Sequence, residues 1–251
     1  MRHIIRHLFF ALVIAALASI TTGIAAAAFV TPQSQLPVVT SISPANGALV
    51  GIAHPVTVDF ATPVADRAFA ERSVAVSAGP QLAGTYSWNG DRELVWTPSR
   101  LLPVDAQFAV RAGNAHTQFN SNGGTRADAD MSAHTFTVFI PGQAPRVMPA
   151  SMGKSGHETP VGTFPVLQRQ PHVIMDSSTI GIPVDSPDGY RLDVYYAERL
   201  TWGGVYVHSA PWSVGQQGHS NVSHGCINLA PADAEWYFNN VGIGDPVTTH
   251  W

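Results

Sequence analysis

Short apolar stretches alternate along the chain with Pro, Gly, Asn and Asp, a pattern typical of β-strands joined by turns. In the first half these stretches recur at the spacing of about 8–12 residues that is typical of a β-sandwich. Asn89-Gly90 is a hairpin turn signal between two of them. The predicted strands are Val56–Phe60, Val74–Ser77, Gly84–Trp88, Leu94–Thr97 and Gln107–Arg111.

The domain organisation follows from where this pattern stops and resumes. Residues 36–112 have the strand spacing of an immunoglobulin-like (Ig-like) domain, but they lack the cysteine pair of antibody domains. Residues 113–131 are polar and rich in Gly, Asn and Asp, which indicates a long loop or a domain junction. We predict an Ig-like domain over 36–123, then a β-rich domain with few short helices over 124–251. The fold class is therefore mainly β.

The second domain contains further alternating stretches and one helix pattern. Its predicted strands are Thr135–Ile140, Arg146–Met148, Val161–Leu167, His172–Asp176, Arg191–Ala197 and Val205–His208. A helix is predicted over Pro231–Val241, because Pro231 suits a first turn and Asp233 places a carboxylate near the positive end of the helix dipole. Ala230, just before it, offers no side-chain acceptor as an N-cap.

The N-terminus has the pattern of an export signal. Two arginines precede the apolar stretch Leu8–Ile20, and Ala25–Ala28 provides small residues for cleavage. This apolar stretch is short for crossing a bilayer core of about 30 Å. If the segment is extended beyond Ile20, it could serve as an uncleaved anchor. We predict that 1–28 is a signal peptide or membrane anchor and that 29–35 is a linker. The protein is then expected in the cell envelope or periplasmic space, secreted or anchored to the outer face of the plasma membrane.

Charge and cysteine content narrow the classes of function. Removing residues 1–28 leaves 11 basic and 17 acidic side chains, and this acidic balance argues against a nucleic-acid partner. Cys226 is the only cysteine, so no internal disulfide can form. A free thiol in an exported protein suggests that the thiol has a chemical use. The alternative is a buried cysteine that is inert.

The surroundings of Cys226 suggest a nucleophile. The thiol lies in a loop rich in Gly and Ser, two residues after His224 and eighteen after His208. Acyl transfer through a thiolate needs a base and an oxyanion site. His208 ends a predicted strand, which is a rigid mounting for a base, while His224 stays open as a second candidate. Gly225 permits close backbone approach, and its amide and that of Cys226 could converge on an oxyanion. A nearby imidazolium is expected to lower the thiol pKa from about 8.5.

These residues resemble a known signature. The signature consists of His208, fourteen residues and then Ser223-His224-Gly225-Cys226-Ile227-Asn228. It resembles the signature of the L,D-transpeptidases, which have a YkuD-type catalytic domain. The similarity covers roughly residues 133–251. An Ig-like module before such a domain resembles the short, single-Ig actinobacterial members. Further similar stretches are Met152–Lys154, Thr159–Phe164, His172–Pro183 and Val207–Gly215.

The resemblance implies an activity. The Cys226 thiolate would attack meso-diaminopimelate in a peptidoglycan tetrapeptide stem, release D-Ala and form a thioester. A second stem's amine would resolve this thioester into a 3→3 cross-link. Donor and acceptor stems are the expected partners, carbapenems are expected to acylate Cys226, and a monomer without cofactor or metal is expected.

The resemblance also implies site residues. The implied catalytic residues are Cys226, His208, Ser209 through its carbonyl, and His224. The implied substrate-binding residues are Tyr190, which supports the oxyanion, Met175, Trp212, Ser223, Gly225 and Asn228. Ile180 stands where related enzymes have a flap tyrosine, and Lys154 is expected to be a solvated charge.

Three other functions compete with this interpretation. A zinc hydrolase could use His208, His219, His224 and Cys226, although the chain has no H-E-x-x-H. An exported cysteine amidase or L,D-carboxypeptidase would share the thioester and use water as acceptor. A non-catalytic wall-binding module would use the Ig-like domain for adhesion.

Overall fold

The computed structural model describes residues 36–251, so the predicted export segment and linker lie outside the described residues. Among the helices of this described part, none is long and apolar enough to cross a membrane.

The first eight strands form two four-stranded sheets that share one apolar core. One sheet has the order β1-β3-β6-β5 and the other β2-β8-β7-β4, which is a sandwich. Asp66 caps the single helix of this part, because its Oδ1 accepts the N–H of Phe69 at 2.9 Å. The elements are β1 (Val39–Ser43), β2 (Ala48–Val50), β3 (Val56–Phe60), α1 (Arg67–Ser73), β4 (Val74–Ser77), β5 (Gly84–Asn89), β6 (Glu93–Pro98), β7 (Gln107–Ala112) and β8 (Ala115–Ser121).

The interpretation of 113–131 as a long loop is wrong. This segment contains β8 and the next strand, β9 (Arg126–Asp130). Both strands alternate between buried and exposed positions, but β9 buries only Ala127 and Ala129. In β9 the small inward side chains give little hydropathy contrast, so this strand is hidden in the sequence. In β8 the buried Phe119 is flanked by the buried polar side chains of Thr117 and Ser121, so its apolar alternation is incomplete.

The second part is built on one nine-stranded sheet, of order β12-β17-β9-β10-β11-β16-β15-β14-β13. One face of it packs with α2 around a core in which Phe136 meets Tyr237 edge-to-face at 4.9 Å. The helix begins at Pro231 without a side-chain cap, as predicted, and ends one residue earlier than predicted. The remaining elements are β10 (Thr135–Phe139), β11 (Arg146–Ser151), β12 (Gly162–Pro165), β13 (Gln168–Asp176), β14 (Arg191–Arg199), β15 (Tyr206–Ser209), β16 (Ile227–Leu229), α2 (Pro231–Asn240) and β17 (Pro246–His250), with 3₁₀ turns at Ser177–Ile180 and Pro211–Ser213.

Hydrogen bonds join the sandwich to the second sheet. The N–H of Gly51 donates to the Ile243 carbonyl at 2.8 Å, and Asn122 Nδ2 donates to Asp245 Oδ1 at 2.6 Å. A Cβ at position 51 would lie 2.0 Å from the Asp245 nitrogen, so this close approach requires glycine.

A buried carboxyl in β14 predicts an unusual pH dependence of stability. Glu198 is fully buried, and neither of its carboxylate oxygens has a hydrogen-bond partner within residues 36–251. Burial raises its pKa from 4.5 to about 9, although the charge of Arg169 opposes the shift. The folded chain therefore keeps a proton that the unfolded chain releases as pH rises between these values.

We expect the free energy of unfolding to fall as pH rises from about 5 to about 9, by up to about 1.4 kcal/mol per pH unit, and this slope to end above the folded pKa. Glu198→Gln removes the titrating group and should flatten the slope. Denaturant unfolding of both proteins across this pH range measures it. Equal slopes in wild type and variant would refute the assignment to Glu198.

Candidate active site

Two parallel strands align the polar residues of the site. Val207 lies opposite Ile227, and His208 lies opposite Asn228. Val207 and Ile227 point into the core beside α2, and successive side chains of a strand alternate between faces. His208 and Asn228 therefore share the other face, together with Cys226 immediately before β16. The alternation that builds the core thus also assembles the site.

A cavity of about 350 Å³ lies over this face. Ser209 and Gly225 are the two implied site residues that do not line it. The other eight do, namely Met175, Tyr190, His208, Trp212, Ser223, His224, Cys226 and Asn228.

His208 is a buried and oriented imidazole. Its ring contacts the Ser209 carbonyl oxygen through Nδ1 at 2.9 Å, and its side chain is shielded on another side by Trp212, whose ring centre lies 5.9 Å away. A carbonyl only accepts, so Nδ1 carries the proton and Nε2 has a free lone pair. Burial lowers the His208 pKa to about 4, with the Ser209 hydrogen bond opposing. The neutral ring at neutral pH is a form that can accept a proton.

The thiol of Cys226 is also neutral at rest. Its Sγ lies 3.6 Å from the Gly204 carbonyl oxygen, and it packs in an apolar cluster with Val194 and Tyr206. Burial raises its pKa to about 11, although a backbone hydrogen bond from Tyr206 and the charge of Arg199 oppose the shift. The expectation that an imidazolium lowers the thiol pKa is therefore wrong. The Cys226 thiol and the His208 imidazole are both desolvated, which favours their neutral forms.

This raised pKa predicts slow alkylation of the thiol at neutral pH. Only the thiolate reacts, so the rate with iodoacetamide should rise about tenfold per pH unit until about pH 11. Because Cys226 is the only cysteine, intact mass reports the modification without ambiguity. The urea-unfolded chain is the control and should titrate near the ordinary thiol value. A plateau reached by about pH 8 in the folded protein would contradict the burial argument.

A hydrogen-bonded loop carries the thiol. Ser223 Oγ donates to the Cys226 carbonyl at 2.6 Å and accepts the N–H of Gly225 at 3.1 Å, while Thr159 Oγ1 donates to the Gly225 carbonyl at 2.9 Å. Gly225 has a φ of 115°, which disfavours any side chain there. Its amide is already engaged by Ser223, so it differs from the expected free oxyanion donor.

Asn228, on the same face of the sheet as Cys226, is held by hydrogen-bonded side chains. Its Nδ2 donates to Ser213 Oγ at 3.1 Å, and Gln217 Nε2 also donates to that hydroxyl at 3.2 Å. The buried Asn228 Oδ1 has no hydrogen-bond partner within the described range and belongs to a residue that lines the cavity.

His224 lies on another wall, and it lacks the orienting hydrogen bond that His208 has. Its ring packs between Tyr190, at 5.3 Å, and His157, at 4.8 Å. Its Nε2 is 3.6 Å from Asp188 Oδ1, which is too long for a hydrogen bond. Burial, followed by the charge of Lys154, lowers its pKa, while the charge of Asp188 opposes the shift.

Sequence reasoning missed six residues of the cavity wall, and two of them are charged: Asp188 and Lys154, which was expected to be a solvated charge. They form an ion pair with 2.6 Å between Nζ and Oδ1. Lys154 carried one usable signal, since it is the only lysine in the chain. Asp188 carried none, because it lies in an irregular segment whose path the sequence does not predict.

Metal ligands do not come together in the described part of the chain. Across residues 36–251, no three or more His, Cys, Asp or Glu side chains are arranged to hold a metal ion. The four side chains of the zinc alternative, His208, His219, His224 and Cys226, therefore do not form one donor set.

Comparison with known proteins identifies the family. The profile of the L,D-transpeptidase catalytic domain matches residues 124–248, and that of a bacterial Ig domain matches residues 13–116. L,D-transpeptidase 1 of Mycobacterium tuberculosis is 46% identical over 247 residues, which cover 98% of each chain. The chain is a member of the L,D-transpeptidase family. The predicted fold class and family resemblance are thereby confirmed.

Solved structures of other L,D-transpeptidases agree with this placement. The complex of LD transpeptidase LdtMt1 with imipenem is 48% identical and covers 86% of this chain and 100% of its own, with a TM-score of 0.82. An L,D-transpeptidase from Mycobacterium smegmatis is 51% identical and covers 85% of this chain and 98% of its own, with a TM-score of 0.80.

Proposed function

We propose that this transpeptidase forms 3→3 cross-links between meso-diaminopimelate residues of peptidoglycan through a Cys226 thioester. The observation that carries the proposal is that the lone thiol, just before β16, and the oriented imidazole of His208 on β15 line the same cavity. Membership of the family supports the transpeptidase activity.

The first half-reaction forms the thioester. His208 Nε2 takes the proton from Cys226 Sγ while the sulfur attacks the diaminopimelate carbonyl of a tetrapeptide stem. A base is needed here because the resting thiol is protonated. The imidazolium then gives the proton to the amine of D-Ala, the carbon–nitrogen bond breaks, and D-Ala leaves. The carbonyl of Ser209 stabilises the imidazolium through Nδ1.

The second half-reaction transfers the acyl group. The side-chain amine of a second stem's diaminopimelate attacks the thioester, and His208 Nε2 takes a proton from this amine. The carbon–sulfur bond breaks and the thiol regains its proton. The thioester conserves the energy of the D-Ala amide, so the residues of this chain complete the cycle without a nucleotide.

Tyr190 is the proposed donor to the oxyanion. Its side chain lines the cavity beside Cys226. Burial, with repulsion from negative charge on Cys226 and Asp176, raises its pKa, so the hydroxyl keeps its proton when the thiol ionises. This donor matters more because the Gly225 amide is engaged by Ser223. Met175 and Trp212 supply apolar walls, and His224, Ser223 and Asn228 shape the donor side.

Inhibition and location complete the proposal. Carbapenems acylate Cys226, as the imipenem complex of a relative supports.

Residues 1–28 direct or anchor the protein to the cell envelope, where its substrate lies. The Ig-like domain spans 36–123 and the catalytic domain 124–251, since the sandwich strands end at Ser121 and the second sheet begins at Arg126.

The test is product analysis with a defined disaccharide-tetrapeptide. We expect a dimer with the mass of two donors less one D-Ala, and tandem mass spectrometry should place the bond between two diaminopimelate residues. A disaccharide-tripeptide as the sole product would instead favour the cysteine amidase or L,D-carboxypeptidase, since water would be the acceptor.

A further inference from the structure

The cavity holds a cation that the proposed thioester chemistry does not use. Lys154 is the only lysine of the chain, and its side chain forms part of the same wall as His224. No other lysine and no arginine among residues 36–251 lines this cavity. The histidines there, His208 and His224, have pKa values lowered by burial and are neutral at neutral pH. Lys154 is therefore the charged group that would meet a substrate anion.

The backbone of Lys154 is tied to the loop that carries the nucleophile. Its N–H donates to the Ser223 carbonyl at 2.9 Å, and Gly153 forms a parallel bridge with Ser223. Gly153 N also donates to Thr159 Oγ1 at 2.9 Å, and this hydroxyl holds the Gly225 carbonyl. Only glycine fits at position 153, because a Cβ would lie 2.2 Å from the His157 carbonyl oxygen. The ammonium thus extends from a point fixed relative to Cys226.

The present partner of this ammonium is replaceable. Asp188 Oδ1 lies 2.6 Å from Nζ, and the Lys154 hydrogen bond and charge lower the Asp188 pKa, so this carboxylate is ionised at neutral pH. The side chains are 33% and 56% exposed, and ion pairs of such exposure contribute little to stability. An ammonium has three donors, so a second carboxylate can bind beside Asp188 or displace it.

We propose that Lys154 is a specificity-determining residue that binds a carboxylate of the donor stem. This inference rests on the proposed function. Two carboxylates flank the carbonyl that Cys226 attacks, the terminal carboxylate of the leaving D-Ala and the side-chain carboxylate of meso-diaminopimelate. A charge-assisted hydrogen bond to either one holds the scissile carbonyl at the sulfur.

The test measures kcat/KM for acylation with three donors, the tetrapeptide and its two single amides, one at D-Ala and one at the diaminopimelate side chain. We expect wild type to react about 10- to 100-fold more slowly with one of the two amides than with the tetrapeptide. The position of that amide identifies the carboxylate that Lys154 binds. With the unmodified tetrapeptide, the kcat/KM of Lys154→Met should be lower than that of wild type by the same factor. With the amide that wild type disfavours, Lys154→Met should react as fast as wild type. Arg111→Met, which removes an exposed charge from the Ig-like domain, is the matched control and should keep wild-type rates.

Asp188→Asn separates recognition from a purely structural ion pair. If Lys154 binds substrate, this variant keeps the acid-to-amide ratio of wild type, and Lys154→Arg keeps part of it. Equal losses by Lys154→Met on all three donors, or wild-type rates that ignore both amides, would overturn the inference. If wild type forms no acyl-enzyme with any donor, the proposed function itself fails, which is a different result.

Discussion

Cys226→Ala is expected to abolish turnover, with a loss of at least about 10⁴-fold in kcat on the disaccharide-tetrapeptide. The sulfur forms the only covalent bond to the donor in the proposed mechanism, and the chain has no second cysteine to replace it. Dimer formation followed by mass spectrometry measures the effect.

Two controls make the loss of turnover interpretable. The thermal midpoint should stay near wild type, since alanine removes a single heavy atom, the sulfur. Cys226→Ser should also be inactive, because a serine hydroxyl is harder to deprotonate than a thiol. Product formation by Cys226→Ala at more than about a hundredth of the wild-type rate would support a role for this protein outside thiol catalysis.

His208→Gln is expected to lower kcat by about 10²- to 10⁴-fold with a smaller change in KM, because it removes the proton acceptor from the cavity. The pH profiles should differ as well. The wild-type imidazole must be neutral to accept a proton, so activity falls only as pH drops toward the His208 pKa of about 4. In the variant, solvent must ionise the thiol, and the rate should rise with pH toward about 11.

A histidine outside the site provides the comparison. His116 is exposed on β8 of the Ig-like domain, and His116→Gln should retain the wild-type rate and pH profile. If His208→Gln kept the wild-type profile, another group would be the base, and His224, which lines the same cavity from another wall, would be the next candidate.

The sequence predicts those elements whose inward side chains are large. Strands β3 and β7 alternate strongly, and α2 begins at the expected proline. Strand β9 was missed because alanines occupy its buried positions. The Asp66-capped helix α1 was also missed, since its only buried side chain is Ala70.

The site was predictable only where its residues are close in sequence or fall within the family signature. The pairing of β15 with β16, which places His208 and Asn228 side by side, depends on long-range topology. Lys154 joins the site through contacts with Ser223, sixty-nine positions away along the chain. The pKa of Cys226 depends on burial, so its upward shift follows from packing and not from the neighbouring sequence.

Intact-mass spectrometry during turnover tests the thioester most directly. Protein quenched with acid while consuming the disaccharide-tetrapeptide should carry an adduct with the mass of the donor less D-Ala. The adduct should map to Cys226, be released by a thiol reagent, and be absent from Cys226→Ala. Cross-linked product that accumulates while wild-type protein stays unmodified at every time point would contradict the proposed mechanism.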